Sequence, residues 1–193
     1  MCDIKRKEAE LIVSVLKRSN SLNHQKQSSG EYFDGANAMS GLRLVKHAPG
    51  APGLRVLGLG PGLIPCKGLQ ELQNLLNAHA FWAKGRNTKQ LRHLLRKSSV
   101  VISLWRNKRM VGFGRATSDG IYRAVLWDII VAGDLQGMGL GRQVIDALLA
   151  SPALKNVEKI YLMTTHSAEF YLQLGFKKSH DQELLLLKGQ EHN

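Results

Sequence analysis

The chain has 193 residues, 44% apolar and 22% charged, which fits one globular domain of ordinary size and excludes a fibrous or wholly disordered protein. Lys plus Arg number 27 against 15 Asp plus Glu, a formal net charge of +12 that points first to nucleic acid, an anionic membrane surface or a polyanionic ligand. Cys2 and Cys66 are too few and too far apart for a disulfide framework or a Cys-rich zinc site. No His-x-x-x-His pair supports a helical metal centre, and no apolar run nears the ~20 residues of a membrane helix.

Glu8 and Glu10 interrupt the basic and apolar order that a cleaved secretory signal needs. Residues 1–18 have the apolar spacing of a short helix, and residues 19–53, rich in Ser, Asn, Gln, Gly and Pro, are expected to be a flexible linker. The folded domain is therefore placed at 54–193, behind an extension of 1–53. A strand is expected over Arg55–Leu59 and helices over Gly68–Phe81 and Thr88–Lys97. Strands follow over Ser99–Trp105, Met110–Thr117 and Ile121–Val131, the first two joined at Arg106–Arg109 as a hairpin. Gly139–Ala150 is an amphipathic helix stopped by Ser151-Pro152. A strand over Lys159–Thr165, a short helix over Ser167–Leu174 and a last strand over Leu184–Leu187 complete the chain. The order β-α-α-β-β-β-α-β-α-β is that of a mixed α+β fold, a meander joined to a β-α-β crossover.

The strongest local signal is Gln136-Gly137-Met138-Gly139-Leu140-Gly141-Arg142, between a strand and an amphipathic helix. Glycines there let backbone N–H groups approach a phosphate at a helix N-terminus, and Arg142 adds a cation, so the ligand should carry a diphosphate. The spacing matches neither Gly-x-Gly-x-x-Gly nor a loop ending Gly-Lys-Ser/Thr. About thirty residues downstream stands Phe170-Tyr171-Leu172-Gln173-Leu174-Gly175-Phe176.

With both motifs in this order, residues 54–188 resemble the GNAT superfamily of acyl-CoA-dependent N-acetyltransferases. Gln136, Gly139 and Gly141 match its Gln/Arg-x-x-Gly-x-Gly/Ala loop, and Phe170–Phe176 match its Phe-Tyr-x-x-Leu-Gly-Phe helix. The runs Gly114–Gly120 and Leu126-Trp127-Asp128 are similar to a narrower group, the cyanobacterial and plastid enzymes related to plant serotonin N-acetyltransferase. The resemblance implies a mostly antiparallel mixed sheet with helices on both faces. It also implies an acetyl-CoA site at a splay between the strands ending near Val131 and Thr165. Backbone groups of Ile129, Ile130 and Val131 would pair with the pantetheine arm, and the Val131 amide would polarise the thioester carbonyl. Amides of Gly137, Met138, Gly139, Leu140, Gly141 and Arg142 would hold the diphosphate. His166 stands where many members carry a cofactor-contacting Asn. Tyr171 matches the tyrosine that protonates the leaving sulfur; as a plain helix residue it would pack on Phe170. No metal is implied.

Two assignments rest on the residues themselves. Asp128, an acid inside the apolar strand Leu126–Val131, is the leading candidate for general base, since burial would raise its pKa; the alternative is an ion pair with Arg115 or Arg123. Asp119, Glu169 and His166 are weaker base candidates. Trp127 and Tyr122 are candidates for an aromatic acceptor pocket or for ordinary sheet packing.

The charge is not evenly spread. Residues 51–110 carry 11 basic and 1 acidic residue, residues 111–193 carry 8 and 9, and Lys84–Arg109 contains no acid at all. The expected activity is acetyl transfer to a small-molecule arylalkylamine or a protein lysine, in a cytoplasmic monomer or homodimer, with the plastid stroma as an alternative setting and no membrane partner. The competing reading is a nucleic-acid-binding or acidic-partner-docking module with a vestigial or regulatory CoA site.

Overall fold

The computed structural model describes residues 40–180 and 182–187, so the helix expected within 1–18 lies outside the described residues. Two units are distinguished, one ending at Leu162 and one beginning at Met163.

The first unit holds one five-stranded sheet in the order β1-β2-β3-β4-β5. Its strands are β1 (Leu42–Lys46), β2 (Val100–Arg106), β3 (Arg109–Ser118), β4 (Arg123–Val131) and β5 (Lys159–Tyr161). The first four pair antiparallel, and β5 joins β4 in parallel after a helical crossover. Between β1 and β2 lie α1 (Pro52–Leu57), α2 (Gly68–His79) and α3 (Thr88–Arg96); α4 (Leu140–Leu149) and α5 (Pro152–Lys155) form the crossover. The class is the expected α+β one. Helices lie on both faces of the sheet. A Cβ on Gly114 would point at Val144 and Leu148 of α4, while the next residue, Arg115, reaches from the opposite face to Asp128.

Three sequence expectations are corrected. The supposed linker contains β1, which pairs with β2 from Leu42↔Arg106 to Lys46↔Ile102, so the sheet begins ahead of Leu54. Its five residues half-bury Leu42, Leu44 and Val45 and expose Arg43 and Lys46, a short alternation embedded in polar sequence. The strand expected over Arg55–Leu59 is instead α1. Pro52 sits in its first turn, and Gly58, at φ 63°, closes it by donating its N–H to the Gly53 carbonyl. Leu184–Leu187 forms no strand; four consecutive leucines have no polar alternate face, and here they are 76–93% exposed.

The core explains the elements that were read correctly. Leu69, Leu72, Leu75 and Leu76 of α2 and Leu140, Val144, Ile145 and Leu148 of α4 are buried against a sheet whose β2 is almost wholly buried and whose β3 is buried from Met110 to Gly114, while α3 buries Leu91 and Leu95 beside α1 and α2. Asn87 starts α3 with a complete capping box with Gln90. The second unit contains α6 (Ala168–Gln173), in which the Tyr171 ring meets Phe170 and Phe176 edge-to-face at 5.1 and 5.9 Å.

Candidate active site

The parallel pairing of β4 with β5 runs only from Arg123↔Lys159 to Val125↔Tyr161. Beyond it, β4 continues to Val131 with no strand on its β5 side among the described residues. Six residues of main chain are thereby left as an open edge, the geometry that accepts an extended ligand by strand addition.

That open edge contains a bulge. Phe113 pairs with Ile130 but Arg115 pairs with Trp127, so Asp128 and Ile129 together face Gly114. Asp128 takes the left-handed conformation, φ 52°, which Asp adopts more readily than most residues. Its carboxylate accepts from Arg115 Nε at 2.7 Å and Arg86 Nη1 at 3.0 Å. The side chains of Asp128 and Arg115 are only 5% and 12% exposed. Burial, the largest single influence, pushes the Asp128 carboxyl up, but the two guanidinium groups together outweigh it and hold the pKa below the usual carboxylate range. The expected rise is therefore reversed. Asp128 is a buried counterion, and the Arg115 partner is the one foreseen as the alternative; Arg123 pairs instead with Glu158. Arg86 is the residue the sequence did not reveal. It lies in the α2–α3 connection, 42 positions away, and the only prior signal was that a buried acid needs cations. That connection is pinned to α2 by Gln73 Nε2 donating to the Arg86 carbonyl and by Gly85 N–H donating to Asn77 Oδ1.

The glycine turn follows directly. Leu135 is buried beneath it, and the Gln136 side chain donates to the Val131 carbonyl at 3.2 Å, tying the turn to the strand end. Gly137 and Gly139 have φ of 78° and 76°. A Cβ on either would meet no atom within 4 Å, so glycine is required for conformation rather than for space. Among the described residues, the N–H groups of Gly137, Met138, Gly139, Leu140, Gly141 and Arg142 donate to no acceptor; the first amide re-entering the ladder is that of Gln143, to Gly139. No acid stands in the first turn of α4, and Arg142 makes only a long, exposed pair of 3.7 Å with Asp146. Six open donors at a helix N-terminus beside a cation fit a diphosphate, the anionic group of acetyl-CoA.

The remaining candidates divide between the two units, Trp127, Tyr122 and Asp119 in the first and His166, Glu169 and Tyr171 in the second. Trp127 donates its indole N–H to Thr117 Oγ1 at 2.8 Å and carries the Arg115 guanidinium 5.6 Å from its ring centre. Tyr122 is 61% exposed in the β3–β4 turn, so the two do not form a shared aromatic pocket. Asp119 caps that turn by accepting from the amides of Arg123, Ile121 and Tyr122, and these bonds hold its carboxyl low. In the second unit His166 and Glu169 are exposed, and burial pushes the Tyr171 phenol up from its ordinary value. Among the described residues no group of three or more His, Cys, Asp or Glu is arranged to hold a metal.

Comparison with known proteins agrees with this geometry. The model of the acetyltransferase (GNAT) family matches residues 69–176. The chain is 37% identical over 118 residues to the uncharacterized N-acetyltransferase ycf52 of Pyropia yezoensis, covering 58% of this chain and 67% of that one. It is 38% identical over 104 residues to the chloroplastic serotonin N-acetyltransferase 2 of Oryza sativa subsp. japonica, half of each chain. A putative acetyltransferase of the same family from Xanthomonas campestris superposes with a TM-score of 0.57 at 20% identity, over 75% of this chain and 93% of that one, a likeness of fold.

Proposed function

The chain belongs to the GNAT family of N-acetyltransferases, and on that premise we propose that it transfers an acetyl group from acetyl-CoA to a primary amine, an arylalkylamine or a protein lysine, by direct attack in a ternary complex. The observation that carries this reading is the run of six open amides, Gly137 to Arg142, immediately beyond the open edge of β4. The amides take the diphosphate, and the edge of Ile129, Ile130 and Val131 takes the pantetheine arm. The Val131 N–H is assigned to the thioester carbonyl oxygen, where negative charge develops as the amine attacks. The rice relative, named as a serotonin N-acetyltransferase, supports the arylalkylamine class, and its chloroplastic name supports a plastid-type setting.

Proton transfers follow from ordinary ionisation. An alkylamine, like a Lys side chain with a pKa of ~10.4, is mostly protonated at neutral pH and must reach the site as the free base. Asp128 is too acidic and too fully paired to accept that proton, so no base is assigned to it. Tyr171 is assigned, on the family motif, to protonate the leaving thiolate; its raised pKa keeps the phenol protonated, and the proton that the nitrogen sheds as the amide forms restores it.

Thiol release from acetyl-CoA with tryptamine-like amines and a lysine peptide tests the assignment. Turnover with at least one amine is expected. Tyr171→Phe should lower kcat by about 10²-fold or more while leaving acetyl-CoA affinity nearly unchanged; an unaltered kcat removes Tyr171 from the acid role.

A further inference from the structure

The solvent-facing ridge of α3 plays no part in holding the acyl donor. Lys89, Arg92, His93, Arg96 and the following Lys97 are all exposed. Among the described residues none of the four Lys and Arg side chains has a carboxylate partner; the ion pairs use Arg86, Arg109, Arg115, Arg123 and Arg142 instead. A merely solvated helix face ordinarily mixes signs at i,i+4, whereas Lys89, Arg92 and Arg96 repeat one sign at spacings of three and four, which costs helix stability. The capping box of Asn87 and Gln90 is uncharged and the first turn holds no acid, so the positive end of the helix dipole is not offset there.

The position of this ridge gives it a purpose. Arg86 is ion-paired to Asp128 in the bulge of β4, and α3 begins two residues later. Lys89 is thus separated from the residue anchored at the reacting strand by at most about 10 Å of chain. The end of the ridge at Lys89 therefore lies near the bulge of β4.

We infer that the basic ridge of α3 is a docking surface for acidic polypeptide flanking the acceptor amine, so that the preferred macromolecular substrate is a lysine set among Asp and Glu. This rests on the acetyltransferase reading above. The occupant must be anionic to complement the four Lys and Arg side chains and must also present a nucleophilic alkylamine, which an acidic peptide with one lysine does. A nucleic acid supplies the charge, but its base amino groups are conjugated and weakly nucleophilic. A Lys-rich tail supplies the amine and is repelled.

The experiment uses the full chain, acetyl-CoA, and three peptides with one lysine flanked by acidic, neutral or basic residues, with a small arylalkylamine as control. The expected kcat/KM is about tenfold higher for the acidic than for the neutral peptide at low salt, lowest for the basic one, with the difference collapsing at high salt. The triple change Lys89→Glu, Arg92→Glu, Arg96→Glu should invert that order while the small amine is turned over as before. The corresponding triple Gln variant should simply flatten it and guards against a folding defect in the first. Rates independent of flanking charge, or a preference that survives both variants, overturn the inference. So does tight, salt-sensitive binding of a single-stranded oligonucleotide with no effect of peptide charge. Turnover of the small amine with no peptide preference leaves the acetyltransferase assignment standing alone; no turnover of any amine overturns both.

Discussion

At the scale of single residues, Asp128 shows how one side chain can hold several pieces of a site. Its left-handed backbone lies in the bulge beside Ile129, and its carboxylate pairs with both Arg115 and Arg86, which approach from β3 and from the α2–α3 connection. Asp128→Asn leaves Arg115 buried without a counterion and should destabilise the protein by about 3 kcal/mol, read from chemical denaturation. Because the Asp128 pKa is depressed, its contribution is fully present above the ordinary carboxylate pKa and is lost only as pH falls through the still lower folded value. The pH profile of kcat/KM should therefore contain no step from Asp128 near neutrality and should rise with pH as the ammonium of the acceptor is deprotonated; a limb near pH 6 that vanishes in Asp128→Asn contradicts this. Gly139→Ala is the matching test of the turn. Its Cβ has room but its φ is forbidding, so the change should raise the KM for acetyl-CoA with a stability cost of only about 1 kcal/mol.

Among the elements, α4 and β1 carry the sharpest expectations. The helix that opens at the glycine turn is seated on Gly114, where an added Cβ would lie 2.7 Å from Val144, 2.8 Å from Ile129 and 3.1 Å from Leu148. Gly114→Val should lift α4 off the sheet, cost about 1–3 kcal/mol and weaken acetyl-CoA binding, both measurable by thermal melts with and without the donor. β1 is held by a different device. His47 extends its ladder, and the imidazole bonds the Ser103 hydroxyl at 2.7 Å, while Ser103 also accepts the Trp105 indole N–H at 2.7 Å. Burial pushes the His47 pKa down from 6.5 to about 4. The unfolded chain binds this proton first, so stability falls as pH drops from about 6.5 to about 4 and levels below, a loss of up to about 3 kcal/mol. His47→Gln should flatten that slope, and amide exchange of Leu42–Lys46 should report the loss first.

What was legible in the sequence follows from the range of the forces involved. The glycine turn, α2, α3, α4 and the three long strands are encoded by local periodicity and by glycines whose φ is positive, and each stands where the pattern put it. β1 was hidden because its five residues only half-bury three apolar side chains, and α1 because Val56 and Leu57 read as strand while Pro52 and Gly58 were the deciding cues. The Arg86–Asp128 pair joins residues 42 apart and has no local trace.

Taken as a whole molecule, the charge of +12 resolves largely into an acid-free segment in which the half-buried Arg86 is paired with Asp128 of β4, while Lys89, Arg92, Arg96 and Lys97 stand exposed on and just after α3. The proposed donor side draws on the open main-chain amides of Gly137 to Arg142 and on Arg142 rather than on that segment. The central claim is transfer of acetyl directly from the thioester to an amine. Intact-mass analysis of a single turnover tests it most directly, because protein and amine are read in the same sample. The account predicts an amine heavier by one acetyl group and a protein of unchanged mass. An acetylated protein with a delayed amine product, or an amine left unmodified while acetyl-CoA is bound, would contradict it.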